Sequence, residues 1–397
     1  MQTLFYVLVI MAVAVAYDNN EILRLLEISD ITEKFSYKML DKVLKKEPYG
    51  SVVMSGLSAM SPLAQLGQAS VGESHDEILS VLGLHNDNFT KEAFSLVNEK
   101  IAKIAGVELK LVNRIYLPEG NELNDQFAAV TRDVFRSDVQ EIDFIDNVKA
   151  AATINEWVEN NTNSRIKELI KPDSLDASTQ AVLVNAIYFK GNWNSPFDKE
   201  LTKDRDFYVT RGMIIEVPTM HQEGYFMYGE SNELKARLLE IFFEKEESSL
   251  LIVLPNEVDG LPEVQEKILE KPEIVRYEVF NMTEVEASVY LPKFKAETTI
   301  DLKSVLKEIG VNKLFGADEA RLEKFLKHTI HGPEISKAIQ KAFIEINEEG
   351  AEAGAASSFT MNKIIPQKVV FRANIPFLFQ LRVGMIPVFH GVYRPLL

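Results

Sequence analysis

Six histidines and no cysteine set narrow limits on the chemistry open to this 397-residue chain. His328 and His331 stand three apart and could share a helix face, yet no third ligand accompanies them, so a surface pair is a simpler reading than a zinc site. His75, His85, His221 and His390 are scattered. The chain has no His-Glu-x-x-His pattern, no phosphate-binding Gly-Lys-Ser/Thr loop and no Gly-x-Ser-x-Gly elbow. Paired carboxylates such as those of Glu244-Lys245-Glu246-Glu247 come with an acidic composition and read as a solvated turn. The residue types therefore point away from catalysis, and no metal or other cofactor is expected.

The chemistry of this chain lies in what it offers to other proteins. Between two strand patterns stands Glu348-Glu349-Gly350-Ala351-Glu352-Ala353-Gly354-Ala355-Ala356-Ser357-Ser358, followed by Phe359-Thr360-Met361-Asn362-Lys363-Ile364-Ile365-Pro366. Before it, Ala342, Ile344 and Ile346 alternate with Lys341, Phe343 and Glu345; after it, Val369, Phe371 and Ala373 alternate with Val370, Arg372 and Asn374. The connection is far longer than the usual four to six or so residues, and such loops are functional or disordered. A disordered linker is rich in Pro, Ser, Lys and Glu throughout, whereas here Gly350 to Ala356 is Ala and Gly with one charge. In a strand, Ala351, Ala353, Ala355 and Ser357 would share one face, and Glu352, Gly354 and Ala356 the other. One face is then small and uncharged, fit to slide between strands over a packed core. A flexible tether has the same composition.

The run Glu348-Glu349-Gly350-Ala351-Glu352-Ala353 resembles the hinge of the serpins, whose reactive loop is bait for a protease and inserts into the main sheet after cleavage. Further segments resemble the family in its own order. They include Asn113-Arg114-Ile115-Tyr116-Leu117, Asn155-Glu156-Trp157-Val158 with Thr162 and Ile166, and Leu183-Val184-Asn185-Ala186-Ile187-Tyr188-Phe189-Lys190-Gly191-Asn192-Trp193. Leu291-Pro292-Lys293-Phe294, Phe377-Leu378-Phe379 and Phe389-His390-Gly391 complete the set. The resemblance is to a secreted, insect-like inhibitory member and implies an α+β serpin fold of three β-sheets and about nine helices with an exposed reactive-centre loop over about residues 348–366. It also implies a polar cluster where the sheet opens, here Ser55, Ser58 and Asn185, with Gln340 where serpins usually place a histidine. Gln340 can donate and accept hydrogen bonds but does not titrate near neutral pH. Gly56 stands where the family usually has Pro, which predicts a looser turn. Leu238 to Phe243 lacks the Pro and Tyr often found there.

Carrying the family's spacing over from Gly350 puts the scissile bond between Ile364 and Ile365, the bait of an elastase-like target; a one-residue shift to Lys363 would suit a trypsin-like one. Counting back from Phe371 and Pro376 gives Ile365-Pro366, a poor bond because proline lacks the amide hydrogen. The resemblance implies a monomer whose partner is a target protease, of the serine class first. A papain-like cysteine target, or a non-inhibitory storage or carrier protein, are the alternatives. Small residues at 351, 353, 355 and 357 favour inhibition, since bulky or charged ones would block insertion.

Composition agrees with export. Leu4 to Ala16 is a short apolar run ending in Ala14-Val15-Ala16, which reads as a secretory signal over residues 1–16, leaving a single domain over 17–397. A net charge of −16 and a pI near 5.0 argue against nucleic acid, heparin-like polymers or anionic membrane as partners. Sequons at Asn88, Asn160 and Asn281 are glycosylation candidates in an exported chain.

Among the remaining elements, apolar positions from Asn20 to Lys46 recur at helical spacing, interrupted by Ser29-Asp30, which predicts a helix pair or a broken helix with a cap there. A strand from Ser51 leads into an apolar helix through Leu66, for which Ser55 and Ser58 are capping candidates. Leu183 to Trp193 reads as a buried strand in which the polar Asn185 stands among apolar neighbours and needs hydrogen-bond partners. Helical spacing is predicted from Ala150 to Ile170. Val107 to Leu117, Val139 to Phe144 and Leu250 to Pro255 read as strands.

Overall fold

A computed structural model describes residues 19–328, 332–349 and 368–396. The leader over residues 1–16, the hinge from Gly350 to Ser357, the bait residues Lys363, Ile364 and Ile365, and His331 lie outside the described residues.

Helix α1 (Asn19–Lys46) runs unbroken through Ser29 and Asp30. The predicted cap fails because both side chains have tertiary partners. Buried Ser29 donates its hydroxyl to the Met385 carbonyl at 2.6 Å, and Asp30 accepts from Lys34 at 2.7 Å and Arg276 at 2.6 Å. Strand β1 (Val52–Met54) leads at Ser55 into α2 (Gly56–Ala69), which is buried along nearly its whole length and so carries apolar residues on every side. Helices α3 (Gly72–Leu82) and α4 (Asp87–Lys103) pack beside it, the first ended by Gly83 in the left-handed region and the second capped by Asn86. Strand β2 (Val107–Pro118), helix α5 (Asp125–Asp133), strand β3 (Asp138–Ile142), helix α6 (Asn147–Asn161) and strand β4 (Val182–Gly191) follow.

The predicted helix to Ile170 stops at Asn161. Thr162 caps it with a hydroxyl bond to the Val158 carbonyl at 2.8 Å, and Asn163, Ser164 and Glu168 then take positive φ, which breaks helical hydrogen bonding. Ile166, Leu169 and Ile170 nevertheless face one surface together, so their spacing resembles a helix.

The second half of the chain is mainly strand: β5 (Lys203–Thr210), β6 (Met213–Ser231), β7 (Ala236–Phe242) and β8 (Ser248–Pro255), then α7 (Leu261–Glu270), α8 (Ile274–Phe280), β9 (Thr283–Pro292), β10 (Phe294–Asp301) and α9 (Leu302–Glu308). Strands β11 (Lys337–Ile346), β12 (Val369–Arg372), β13 (Phe377–Val383) and β14 (Ile386–Tyr393) close the fold. Nine α-helices lie among the described residues.

Five strands form one sheet in the order β10-β11-β4-β2-β3, and nine form the other, β1-β14-β13-β8-β7-β6-β9-β12 with β5 on β6. Two of the three sheets implied by the resemblance are joined here, because the 19-residue β6 pairs with β5 and β9 along its first part and with β7 along its last. The five-stranded sheet is buried on both faces at its centre. Residues of one parity on β4 and β11 face the main core with α2, while Val182, Val184, Ala186, Ile339 and Phe343 face α6 and the turns after it.

Candidate functional site

Strands β4 and β11 meet at the middle of the five-stranded sheet. They run parallel over eight registered pairs from Lys337↔Val182 to Ile344↔Phe189, with Gln340 opposite Asn185. Both side chains sit on the face toward α2, where every neighbour on their own strands is apolar, and both are fully buried. A buried amide must be hydrogen-bonded or it costs about 1–3 kcal/mol. Here the bonds are complete. Gln340 donates its Nε2 to Asn185 Oδ1 at 2.6 Å and to the Ser55 carbonyl at 2.9 Å, and its Oε1 accepts from the Ser55 amide at 3.1 Å. Asn185 donates its Nδ2 to Ser58 Oγ at 2.6 Å and to the Ser58 carbonyl at 2.9 Å.

The structure thus brings together Ser55, Ser58, Asn185 and Gln340. Ser55 is also the N-cap of α2: its hydroxyl accepts from the Ser58 amide at 3.0 Å and donates to the Val388 carbonyl on β14 at 2.6 Å. Capping and cluster membership are one arrangement at this residue. The cluster therefore ties the two parallel strands to the start of α2 and, through β14, to the second sheet.

Asn113 was missed. It is the β2 register partner of Asn185 and accepts from it through Oδ1. It carries the same signal that marks Asn185, a polar amide on the parity shared with the apolar Leu111, Ile115 and Leu117.

Gly56 does not mark a looser turn. A Cβ there would lie 2.0 Å from Ser36 Oγ and 2.8 Å from Ser36 Cα, so the glycine is where α1 crosses closest to the start of α2.

At its C-terminal end β11 leads toward Gly350, and the approach is anchored. The Trp193 indole donates to the Asn347 carbonyl at 2.7 Å, and its ring stacks on Phe243 with centroids 4.4 Å apart. Glu348, buried, pairs with Lys293 at 2.8 Å, and Glu349 pairs with Lys199. Burial by itself would raise the Glu348 carboxyl, but the Lys293 ammonium outweighs it and holds the group below its ordinary value. On the outer face, Lys341 reaches the Lys167 carbonyl at 2.7 Å and Glu297 at 2.7 Å, so the turns after α6 cover this part of the seam. The chain returns at Lys368, which pairs with Glu223 at 2.6 Å, and enters β12 beside β9.

The remaining sequence candidates lie apart from this seam. Asn88 is exposed in the first turn of α4, Asn160 is exposed in the last turn of α6, and Asn281 is exposed just past α8. His328 is exposed in a bend rather than on a helix, and no cluster of metal-ligating side chains occurs among the described residues. Among them, too, no helix is long and apolar enough to cross a membrane.

The model of one family, Serpin (serine protease inhibitor), matches residues 30–394. The chain belongs to the serpin family. Among curated relatives, antichymotrypsin-2 of Bombyx mori is 47% identical over 366 residues, covering 91% of this chain and 96% of that protein. Antitrypsin of Bombyx mori is also 47% identical, over 365 residues, covering 91% and 92% respectively. Among solved structures, Serpin48 of the insect Tenebrio molitor, described as a highly specific serpin, superposes with a TM-score of 0.84 at 32% identity, covering 94% of this chain and 99% of that one. The serpin is therefore a protease inhibitor by family and not an enzyme, and the class of its partner is a protease.

Proposed function

We propose that this serpin is a secreted suicide inhibitor of a serine endopeptidase, cut at Ile364-Ile365. The protease serine attacks the Ile364 carbonyl; the bond to the Ile365 nitrogen breaks, the new amine leaves with a proton, and an ester joins Ile364 to the enzyme. Inhibition follows if the freed hinge enters the sheet before water hydrolyses that ester.

The observation that carries this reading is the parallel pairing of β4 and β11. A segment that leaves the end of β11 and folds back must run antiparallel to β11, and because β4 is parallel to β11, it runs antiparallel to β4 as well. One parallel ladder is then exchanged for two antiparallel ones, which are somewhat more stable per residue. The uncut protein is accordingly a kinetically trapped state. Small residues from Ala351 to Ser357 suit a strand squeezed into that place, and Glu352 takes the outer face. The small, uncharged face of the hinge, Ala351, Ala353, Ala355 and Ser357, favours this over a storage or carrier role. Two relatives named for different targets are equally similar to this chain, which supports a shared scaffold on which the bait selects the protease.

Export rests on the Met1–Ala16 leader, with Asn88, Asn160 and Asn281 as glycan acceptors. A panel of serine and papain-like proteases, followed by mass measurement of the released C-terminal peptide, tests the reading. A peptide beginning at Ile365 together with a covalent complex is expected; one beginning at Ile364 moves the bond to Lys363 and the target to trypsin-like enzymes. Cleavage by every protease without a covalent complex overturns the inhibitory reading.

A further inference from the structure

Between the C-terminal half of α1, helix α7, the β5–β6 turn and the start of β13 lies a pocket of about 590 Å³. Small-molecule sites run from roughly 300 to 1,000 Å³. Its floor is apolar: Leu40, Leu261, Ile268 and Leu378 are all buried. At its mouth stand Tyr49, Met213 and Leu269, exposed by 80%, 37% and 37%. A lone exposed hydrophobic residue needs no explanation, but three from separate elements gathered around one concavity do.

The charges in the wall decide what would bind. Asp41 is engaged by Lys42 at 3.1 Å and Lys45 at 2.8 Å, and Asp259 by Arg211 at 3.0 Å. Arg394 is different. It forms no ion pair among the described residues, and its Nε is buried without a hydrogen-bond acceptor. Burial draws the guanidinium below its ordinary value, yet an arginine stays charged in proteins. A cation partly removed from water and left unpaired is destabilising, and a planar guanidinium matches a carboxylate in two parallel hydrogen bonds.

We propose that this pocket binds a small amphipathic carboxylate, its acid group on Arg394 and its apolar body between α1 and α7. The site shares no residue with the seam or the hinge. It would give the inhibitor a second function, the carriage of a fatty-acid-like ligand.

Calorimetric titration of the full chain with laurate below its micellar concentration tests this, with methyl laurate as the neutral probe. One saturable site is expected for laurate, with the ester weaker by about tenfold or more, the ratio that loss of a charge-assisted pair gives. Arg394→Gln should weaken laurate by about the same factor and leave the ester unchanged. Leu269→Glu, at an exposed position on the rim, should weaken both while leaving protease inhibition intact, and it serves where the arginine variant does not fold. No saturable binding, or laurate binding unchanged in Arg394→Gln or in Leu269→Glu, overturns the proposal.

Discussion

Two buried strand pairs, one in each sheet, hold this molecule together in different ways. Strands β13 and β14 form an antiparallel hairpin through a turn at Gly384, and β8 flanks β13 on its other side. Every residue of these three strands is buried. Strands β4 and β11 are buried along most of their length, but they run parallel, are separated by all the chain from Gly191 to Lys337, and have no turn between them. A hairpin cannot part without unfolding its own connection. Two parallel strands linked only through distant chain can part when a third strand replaces the bonds they lose.

The polar knots in the two regions differ in the same sense. At the seam, Gln340, Asn185, Ser55 and Ser58 are neutral, and none of their side-chain polar atoms is left unbonded. Beneath α1, Gln380 donates to Tyr37 at 2.6 Å and to His390 Nε2 at 3.2 Å, among charged neighbours that include Glu33 and Arg382, and several atoms there lack partners. Because His390 Nε2 accepts, the imidazole is neutral. Burial, helped by Arg382, pushes its pKa down to about 3.

The largest effect should come from interfering with the strand proposed to enter the seam. Ala353→Arg puts a charge on the face proposed to meet the core, where burying it unpaired costs several kcal/mol or stalls insertion. The variant should be cut at the same bond and release active protease, with little denaturant-resistant complex on a gel. Glu352→Arg, on the opposite parity, should largely retain inhibition. Equal loss in both would break the in-and-out assignment of the hinge.

A smaller contrast separates the two sheets by stability. Ile252→Ala in the middle of β8 removes a fully buried side chain and should destabilise cut and uncut protein alike, by about 2–5 kcal/mol. Gln340→Ala should destabilise the uncut form by about 1–3 kcal/mol, because Asn185 Oδ1 and the Ser55 amide lose their partner. It should affect the cut form less, since the proposed inserted strand would separate residues 340 and 185. Denaturant melts of both forms decide it, and equal effects from Gln340→Ala in the two forms would place that amide outside the opening seam.

The smallest effect is pH dependence. With its folded pKa depressed, His390 binds a proton more readily in the unfolded chain, so its contribution to stability is full above about pH 6.5 and is lost at about 1.4 kcal/mol per unit as pH falls below that. His390→Gln should flatten that slope in thermal melts between pH 7 and 5. Gln340→Ala should not alter it, because nothing at the seam titrates there. A slope unchanged in His390→Gln would mean that the imidazole is not neutral in the fold.

Much of this architecture was legible where its cause is local. Asn185 stood out as an amide inside an apolar strand, and Ser55 as a capping residue before a buried helix. What resisted reading was non-local. Gln340 entered through the chain's resemblance to a family, and nothing in its own strand pattern says that it faces Asn185, since parallel register is set by packing between strands far apart in sequence. Ser29 and Asp30 misread as a cap because their partners, Met385 and Arg276, are hundreds of residues away. Asn113 carried a readable signal and was passed over. Trp193, Lys293 and Lys199 gave none, because their role is to hold a chain end that arrives later in the sequence.

The central claim is that β4 and β11 must part for inhibition, and the absence of cysteine from the chain makes a direct test available. Ala186 and Lys341 are register partners, and neighbouring strands lie about 4.8 Å apart, within the span that a disulfide bridges. The Ala186→Cys, Lys341→Cys double variant should be oxidised, incubated with the target protease, and compared with the same protein after reduction. Reduced, it should form the covalent complex, and cleavage of its loop should raise the melting temperature by on the order of 10 °C, as a gain of roughly 10 kcal/mol would in a domain of this size. Oxidised, it should be cut at the same bond, release active protease and show no rise beyond that of the crosslink itself. Full inhibition by the oxidised protein would contradict the account.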